Sequence, residues 1–118
     1  MAHPLFDYKE DEKPWGSSEL FTKEEKSTVK ILRIASGKRF SLQRHKNREE
    51  FWRVIEGSGV ITVGDTERAV TVGDEALVPR ETLHRIAGGP GGIAVLEISF
   101  GAFDENDIER LEDDFGRT

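Results

Sequence analysis

Between residues 27 and 100 the chain alternates short apolar runs with turn residues. Val29, Ile31, Arg33 and Ala35 interleave with Lys30, Leu32, Ile34 and Ser36, a period of two that predicts a strand partly apolar on both faces. Gly37-Lys38 ends that run, and residues 40–44 predict a second strand. Residues 51–55 predict a third, closed by Glu56-Gly57-Ser58-Gly59. Residues 60–63 turn through Gly64-Asp65-Thr66 into residues 68–72, a hairpin signature. Past the Gly73-Asp74 turn, strands are expected at residues 76–79 and 83–87. The block Gly88-Gly89-Pro90-Gly91-Gly92 is expected to be a loop, and residues 93–100 form the longest apolar strand.

The two ends depart from this texture. Residues 1–14 carry mixed charge, two prolines and little periodicity, so an irregular arm is expected there. After Phe103 the period lengthens. Asp104 can cap a helix over residues 105–115, with Ile108, Leu111 and Phe115 on one face and Glu109, Glu112, Asp113 and Asp114 solvated. Eight or more short strands with one terminal helix predict an all-β fold, a small barrel or sandwich, as a single domain over residues 15–118.

Composition narrows what such a domain can do. A length of 118 residues with 36% hydrophobic residues suffices for one compact core. A net charge of -6 repels phosphate backbones, so nucleic acid is not an expected partner. The absence of cysteine removes disulfides, thiolate zinc sites and cysteine nucleophiles together. No apolar run approaches the roughly 20 residues that span a bilayer. The polar, acidic start is no secretory signal, so no membrane and a cytoplasmic setting are expected. There are three histidines; His3 reads as a tail residue, which leaves His45 and His84 to build a site.

Gln43 and His45 lie two apart in an expected strand and share a face. Glu50 opens the next strand after Lys46-Asn47-Arg48, and His84 follows Gly73 and Pro79 in a second strand-turn-strand. Imidazole, carboxylate and an amide oxygen suit a borderline divalent metal. A lone strand histidine is more often a satisfied polar residue, so spacing has to carry the argument.

The spacing resembles the two motifs of the cupin superfamily, G-x5-H-x-H-x(3,4)-E-x6-G and G-x5-P-x-G-x2-H-x3-N. Gly37, Gln43, His45, Glu50 and Gly57 fit the first with Gln for one His. Gly73, Pro79 and His84 fit the second, with Glu81 where Gly usually stands and Gly88 where Asn does. Ser41-Leu42-Gln43, His45, Arg48, Glu50 and Trp52 resemble the cupin domain of type II phosphomannose isomerases more closely. So do Lys13-Pro14-Trp15-Gly16, His84-Arg85 and the acidic close from Asn106 to Thr118.

This resemblance implies a double-stranded β-helix, or jelly-roll, barrel, with Gln43, His45, Glu50 and His84 as metal ligands. Without thiolates the ion would be held by nitrogen and oxygen, zinc first, with manganese, cobalt, nickel or iron also compatible. The implied activity is a mannose-6-phosphate to fructose-6-phosphate type isomerisation, a proton passing between C2 and C1 through an enediol. Arg110 and Glu97 match family positions and are nominated as catalytic, although an ion pair with Arg33 is an alternative role for Glu97. Arg48, Arg85 and Lys46 are nominated to bind the sugar phosphate, with Arg44 also eligible, because guanidinium and ammonium groups recognise phosphate. Arg48 could instead be a structural partner of Glu50.

The departures bear on substrate. Phe51 replaces a family His, which favours a non-catalytic metal-binding cupin for a sugar or small metabolite as the alternative function. Phe115 replaces a Tyr. An oxygenase is disfavoured by Gln43 in place of a histidine. Trp52 is expected in the core and Trp15 at the rim, and a homodimer is expected through edge strands or the N-terminal arm.

Overall fold

The computed structural model describes residues 3–118. Its frame is a pair of long strands, β5 (Arg48–Val63) and β8 (His84–Gly101), which run antiparallel to each other. Each serves two sheets. In one, Arg48 to Val54 pairs with Gly101 to Val95, flanked on β8 by β3 (Ser27–Ile34) and on β5 by β7 (Glu75–Val78). In the other, Gly59 to Val63 pairs with Gly88 to His84. There β6 (Thr66–Thr71) lines β5 and β4 (Leu42–Arg44) lines β8, with β9 (Glu109–Glu112) beyond β4. The result is the expected all-β double-stranded β-helix.

The bends that let one strand serve two sheets fall where the sequence suggested endings. Register shifts break the β5–β8 ladder between Val54 and Glu56 and between Gly57 and Gly59, so β5 bends there instead of stopping. Residues 88–92, expected to be a loop, are the matching bend inside β8. Close backbone approach explains both. A Cβ on Gly57, whose φ is 75°, would lie 2.2 Å from the Gly92 carbonyl oxygen. One on Gly88 would lie 2.4 Å from the Ala35 oxygen. Gly88 is also hydrogen-bonded to the 37–38 turn through both of its backbone groups, at 2.8 and 3.1 Å.

Alternation then sorts side chains between two layers. Trp52, Val54, Val95, Ile93, Ile86, Ile61 and Val78 point inward and form the main core. Phe51, Ile98 and Phe100 point out of the other face and are covered by Leu5, Tyr8 and Phe21. The N-terminal segment is therefore more regular than expected. Within it β1 (Lys9–Lys13) pairs with β2 (Gly16–Leu20), and Tyr8 donates its hydroxyl to Glu10 at 2.7 Å and to Glu19. His3 is no tail residue either: its ring stacks on Tyr8 at 3.7 Å and its Nε2 lies 2.9 Å from Glu75. Trp15, at the hairpin turn, is 74% exposed.

The terminal helix is not formed, and no helix is present among the described residues. β9 instead pairs with three-residue β4, which would otherwise present an open edge. Acidic residues serve as turn acceptors instead: Asp104, the expected cap, takes the Asn106 amide, Asp113 takes those of Phe115 and Arg117, and Asp107 takes those of Lys46 and Asn47. Leu111 and Phe115, expected on one buried helix face, are exposed.

Two substitutions test the bends. Gly88→Ala should lower unfolding free energy by about 1–3 kcal/mol in urea titrations, because the Ala35 carbonyl must move. Glu81 adopts φ 61°, the conformation that favours the glycine found in the family motif. Glu81→Gly should raise stability by about 0.5–1 kcal/mol, relief of left-handed strain exceeding the added entropy of the unfolded chain.

Candidate metal centre

His45 follows β4, Glu50 lies near the start of β5, and His84 opens β8. The barrel brings one donor atom from each within 4.8 Å of the others, all buried. Glu50 Oε1 is 3.3 Å from His84 Nε2, and Glu50 Oε2 is 3.7 Å from His45 Nε2. Glu50 reaches this point because inward positions alternate along β5, between Ser99 on β8 and Val78 on β7.

Hydrogen bonds on the far side of each ring define its near side. His45 Nδ1 lies 2.6 Å from the Asp107 carbonyl and His84 Nδ1 lies 2.9 Å from the Thr82 carbonyl. A carbonyl only accepts, so each Nδ1 carries a proton and each Nε2 faces the cluster; at His45 that Nε2 is the acceptor for Arg48 Nη2, 3.3 Å away. His84 Nε2 and Glu50 Oε1 are buried with no hydrogen-bond partner. Two buried polar atoms facing each other without a hydrogen bond are costly unless a proton or a metal ion is shared between them. This donor set fits a divalent ion with nitrogen and oxygen ligands.

Charge agrees with that reading. Burial pushes the Glu50 carboxyl up, but the adjoining His84, His45 and Arg48 more than offset it and bring it down to about 2. Burial also pushes the His45 imidazole down, against the opposing pull of the Asp107 carbonyl and Glu50. Gln43 lines the same cavity, of about 210 Å³, as His45, Glu50 and Glu97. Its Oε1 accepts a 2.6 Å hydrogen bond from Ser41, leaving a second lone pair.

The other nominated residues separate. Glu97 points inward and is buried, with Oε2 accepting from Trp52 Nε1 at 3.0 Å and Oε1 lacking a hydrogen bond. Lys30 Nζ, at 3.9 Å, is its cationic neighbour, in the place suggested for Arg33. Burial first, then the charge of Glu50, push the Glu97 carboxyl up to about 7. Arg110 lines the cavity from β9 with a buried, unpartnered Nε.

Arg48 is buried between Glu50 Oε2 at 3.4 Å, His45 Nε2 at 3.3 Å and the Asp104 carbonyl at 3.1 Å, so it is a partner of the cluster itself. Arg85 is not brought to the cavity. One step along β8 from His84, it faces the other way and bonds the Phe40 carbonyl at 2.9 Å and Glu112 at 3.2 Å. Lys46 lines a neighbouring cavity, with Arg44, which is paired to Glu109. Asp107 and Thr82 escaped the sequence reading because both serve through backbone carbonyls, which no residue type marks.

The Phe51 departure takes a different meaning in the fold. Phe51 is fully buried on the outer face of its sheet, opposite Glu50 and Trp52, so replacing His there removes no group from the cluster.

A sequence model of the family described as mannose-6-phosphate isomerase C-terminal matches residues 5–113. The alginate biosynthesis protein AlgA of Pseudomonas aeruginosa is 37% identical over 109 residues, covering 90% of this chain and 22% of that protein. The xanthan biosynthesis protein XanB of Xanthomonas campestris pv. campestris is 32% identical over 108 residues, covering 90% of this chain and 23% of that protein. The chain thus spans less than a quarter of the length of these relatives. Among solved structures, a cupin 2 conserved barrel domain protein from Rhodopseudomonas palustris superposes with a TM-score of 0.64 at 22% identity. It covers 81% of this chain and 66% of that one, a likeness of fold.

If Phe51 is purely a packing residue, Phe51→Leu should cost about 1 kcal/mol or more of stability. Calorimetric titration with zinc should give the same affinity as the parent chain.

Proposed function

The chain belongs to the mannose-6-phosphate isomerase C-terminal family, and from this membership we propose that it is a divalent-metal-dependent isomerase of sugar phosphates, of the mannose-6-phosphate to fructose-6-phosphate type. The observation that carries the proposal is the buried pair Glu50 Oε1 and His84 Nε2, facing each other without a hydrogen bond, where Glu50 shares its cavity with a second buried carboxyl, Glu97.

Gln43, His45, Glu50 and His84 would hold the ion, zinc first by donor type. When bound, it supplies a Lewis acid for the sugar oxygens. Glu97 takes the proton from C2 of the open-chain aldose through Oε1, which accepts no hydrogen bond, and O1 gains a proton to give the enediol. The proton then returns from Glu97 to C1 while O2 gives up its hydroxyl proton and becomes the ketose carbonyl. Trp52 Nε1 holds the other oxygen of Glu97 and so aims the carboxylate. Arg110, with its unpartnered Nε at the cavity, is the best-placed cation for the phosphate. Arg48 keeps Glu50 ionised and in place, while Lys46 serves only a substrate that extends into the neighbouring cavity.

The cytoplasmic homodimer expected from the sequence remains part of the proposal. Edge strand β3, with Val29 57% and Ile31 42% exposed, supports the dimer. The non-catalytic alternative loses the support it drew from Phe51, which lies away from the cluster.

The test is turnover of mannose 6-phosphate by the zinc-, manganese- or cobalt-loaded chain. We expect fructose 6-phosphate to form, chelation to stop it, and His84→Ala to lose both ion and activity. Glu97→Gln should keep the ion and lower kcat by about 10²–10⁴-fold. A fully metallated chain that turns over no hexose phosphate overturns the isomerase reading. Thermal stabilisation by sugar phosphates without conversion would establish the binding reading in its place.

A further inference from the structure

We infer that Asp107 is a positioning residue that aims His45 into the metal centre; the inference rests on the metal reading above. The two histidines of the cluster are held in different ways. His84 Nδ1 bonds a carbonyl only two residues away, Thr82, inside its own turn. His45 Nδ1 bonds the carbonyl of a residue 62 positions distant. Its aim therefore depends on how the 104–107 segment docks.

Two side chains carry that docking: Arg48, which donates to the Asp104 carbonyl at 3.1 Å, and Asp107, the one next to His45's acceptor. The Asp107 carboxylate spans two consecutive amides, with Oδ1 2.9 Å from Lys46 N and Oδ2 2.9 Å from Asn47 N. Asp107 thus holds residues 45, 46 and 47 together, the first by its carbonyl and the others by its carboxylate. The segment is braced from its other end. Asp104 accepts the Asp107 amide at 3.0 Å on its carbonyl and the Asn106 amide at 2.9 Å on its carboxylate.

The chemistry of a histidine ligand makes this grip functional. A ring free to change tautomer or to turn presents N–H or carbon to the ion part of the time. A proton fixed at Nδ1 leaves the Nε2 lone pair always in place. The grip also sets His45 against Arg48, whose Nη2 lies 3.3 Å from the same Nε2, so a turned ring would lose both neighbours. Asp107 does not line the cavity of Glu50 and Glu97, only the neighbouring one beside Lys46. It acts through His45.

Asp107→Ala removes the carboxylate and leaves the backbone carbonyl, so it separates aim from acceptor. Zinc and cobalt affinities, measured calorimetrically, should fall by about 10–100-fold, the range found for partners of metal-bound histidines. Asp107→Asn keeps one acceptor oxygen and should recover part of the loss; it also carries the test if the alanine variant does not fold. The second readout is the ¹⁵N spectrum of the imidazoles in the metal-free chain. His45 should be held as the Nδ1-protonated form in the parent and become a tautomer mixture in the variant, with His84 unchanged. A folded variant with parental metal affinity and a parental His45 tautomer overturns the inference. If the parent chain takes up no ion, the metal reading fails, and the tautomer spectra alone decide the role of Asp107.

Discussion

Everything at the centre of this molecule hangs on the antiparallel ladder between β5 and β8. Because both strands bend midway, one ladder supplies the middle of two sheets and closes the barrel on itself. Glu50 and Glu97 project inward from one half of that ladder and His84 from the other. The bends exist because Gly57 and Gly88 allow backbones to touch where any Cβ would collide. Sterics at two glycines therefore come before the chemistry of the cluster.

That chemistry is governed by the cost of burying charge. Two carboxyls and two imidazoles share a region with little access to water, and their environments push the carboxyls in opposite directions. Glu50, beside His84, His45 and Arg48, is held down toward the ionised form, while Glu97, buried with only Lys30 as a cationic neighbour and with the charge of Glu50 beside it, is pushed up. On the proposed reading, this separation of two acids would let one serve as a ligand and the other exchange a proton. Arg48 belongs to this balance, since it contributes positive charge and shares an oxygen of Glu50.

Much of the fold was legible from alternation and turn chemistry. The hairpin of β5 and β6, the outer strand β3 and the inward Trp52 all follow the period of two. The shared face of Gln43 and His45 follows from the same period, whereas Glu50 and His84 were marked by a spacing that resembles the cupin motifs. The errors fall where a local signal has two outcomes. A glycine block can end a strand or bend it. An i, i+3, i+7 apolar pattern such as Ile108, Leu111 and Phe115 can be overridden when an adjacent strand needs a partner. Arg85, nominated for phosphate, lies one residue from His84 and therefore on the opposite face, where it bonds Phe40 and Glu112.

Local sterics and side-chain period act over a few residues, so the chain's own order already specified most of the central strands and turns, and its motif spacing marked the candidate donor groups. Face, depth and hydrogen-bond partner arise between segments far apart in the chain. Assembly of the barrel put Phe51 outside and Glu97 inside, gave Arg85 to Glu112, and matched His45 with a carbonyl 62 residues away. Those choices could not be read along the chain because backbone acceptors and burial leave no mark in residue type. They come into being when the two halves of the β5–β8 ladder close over one another.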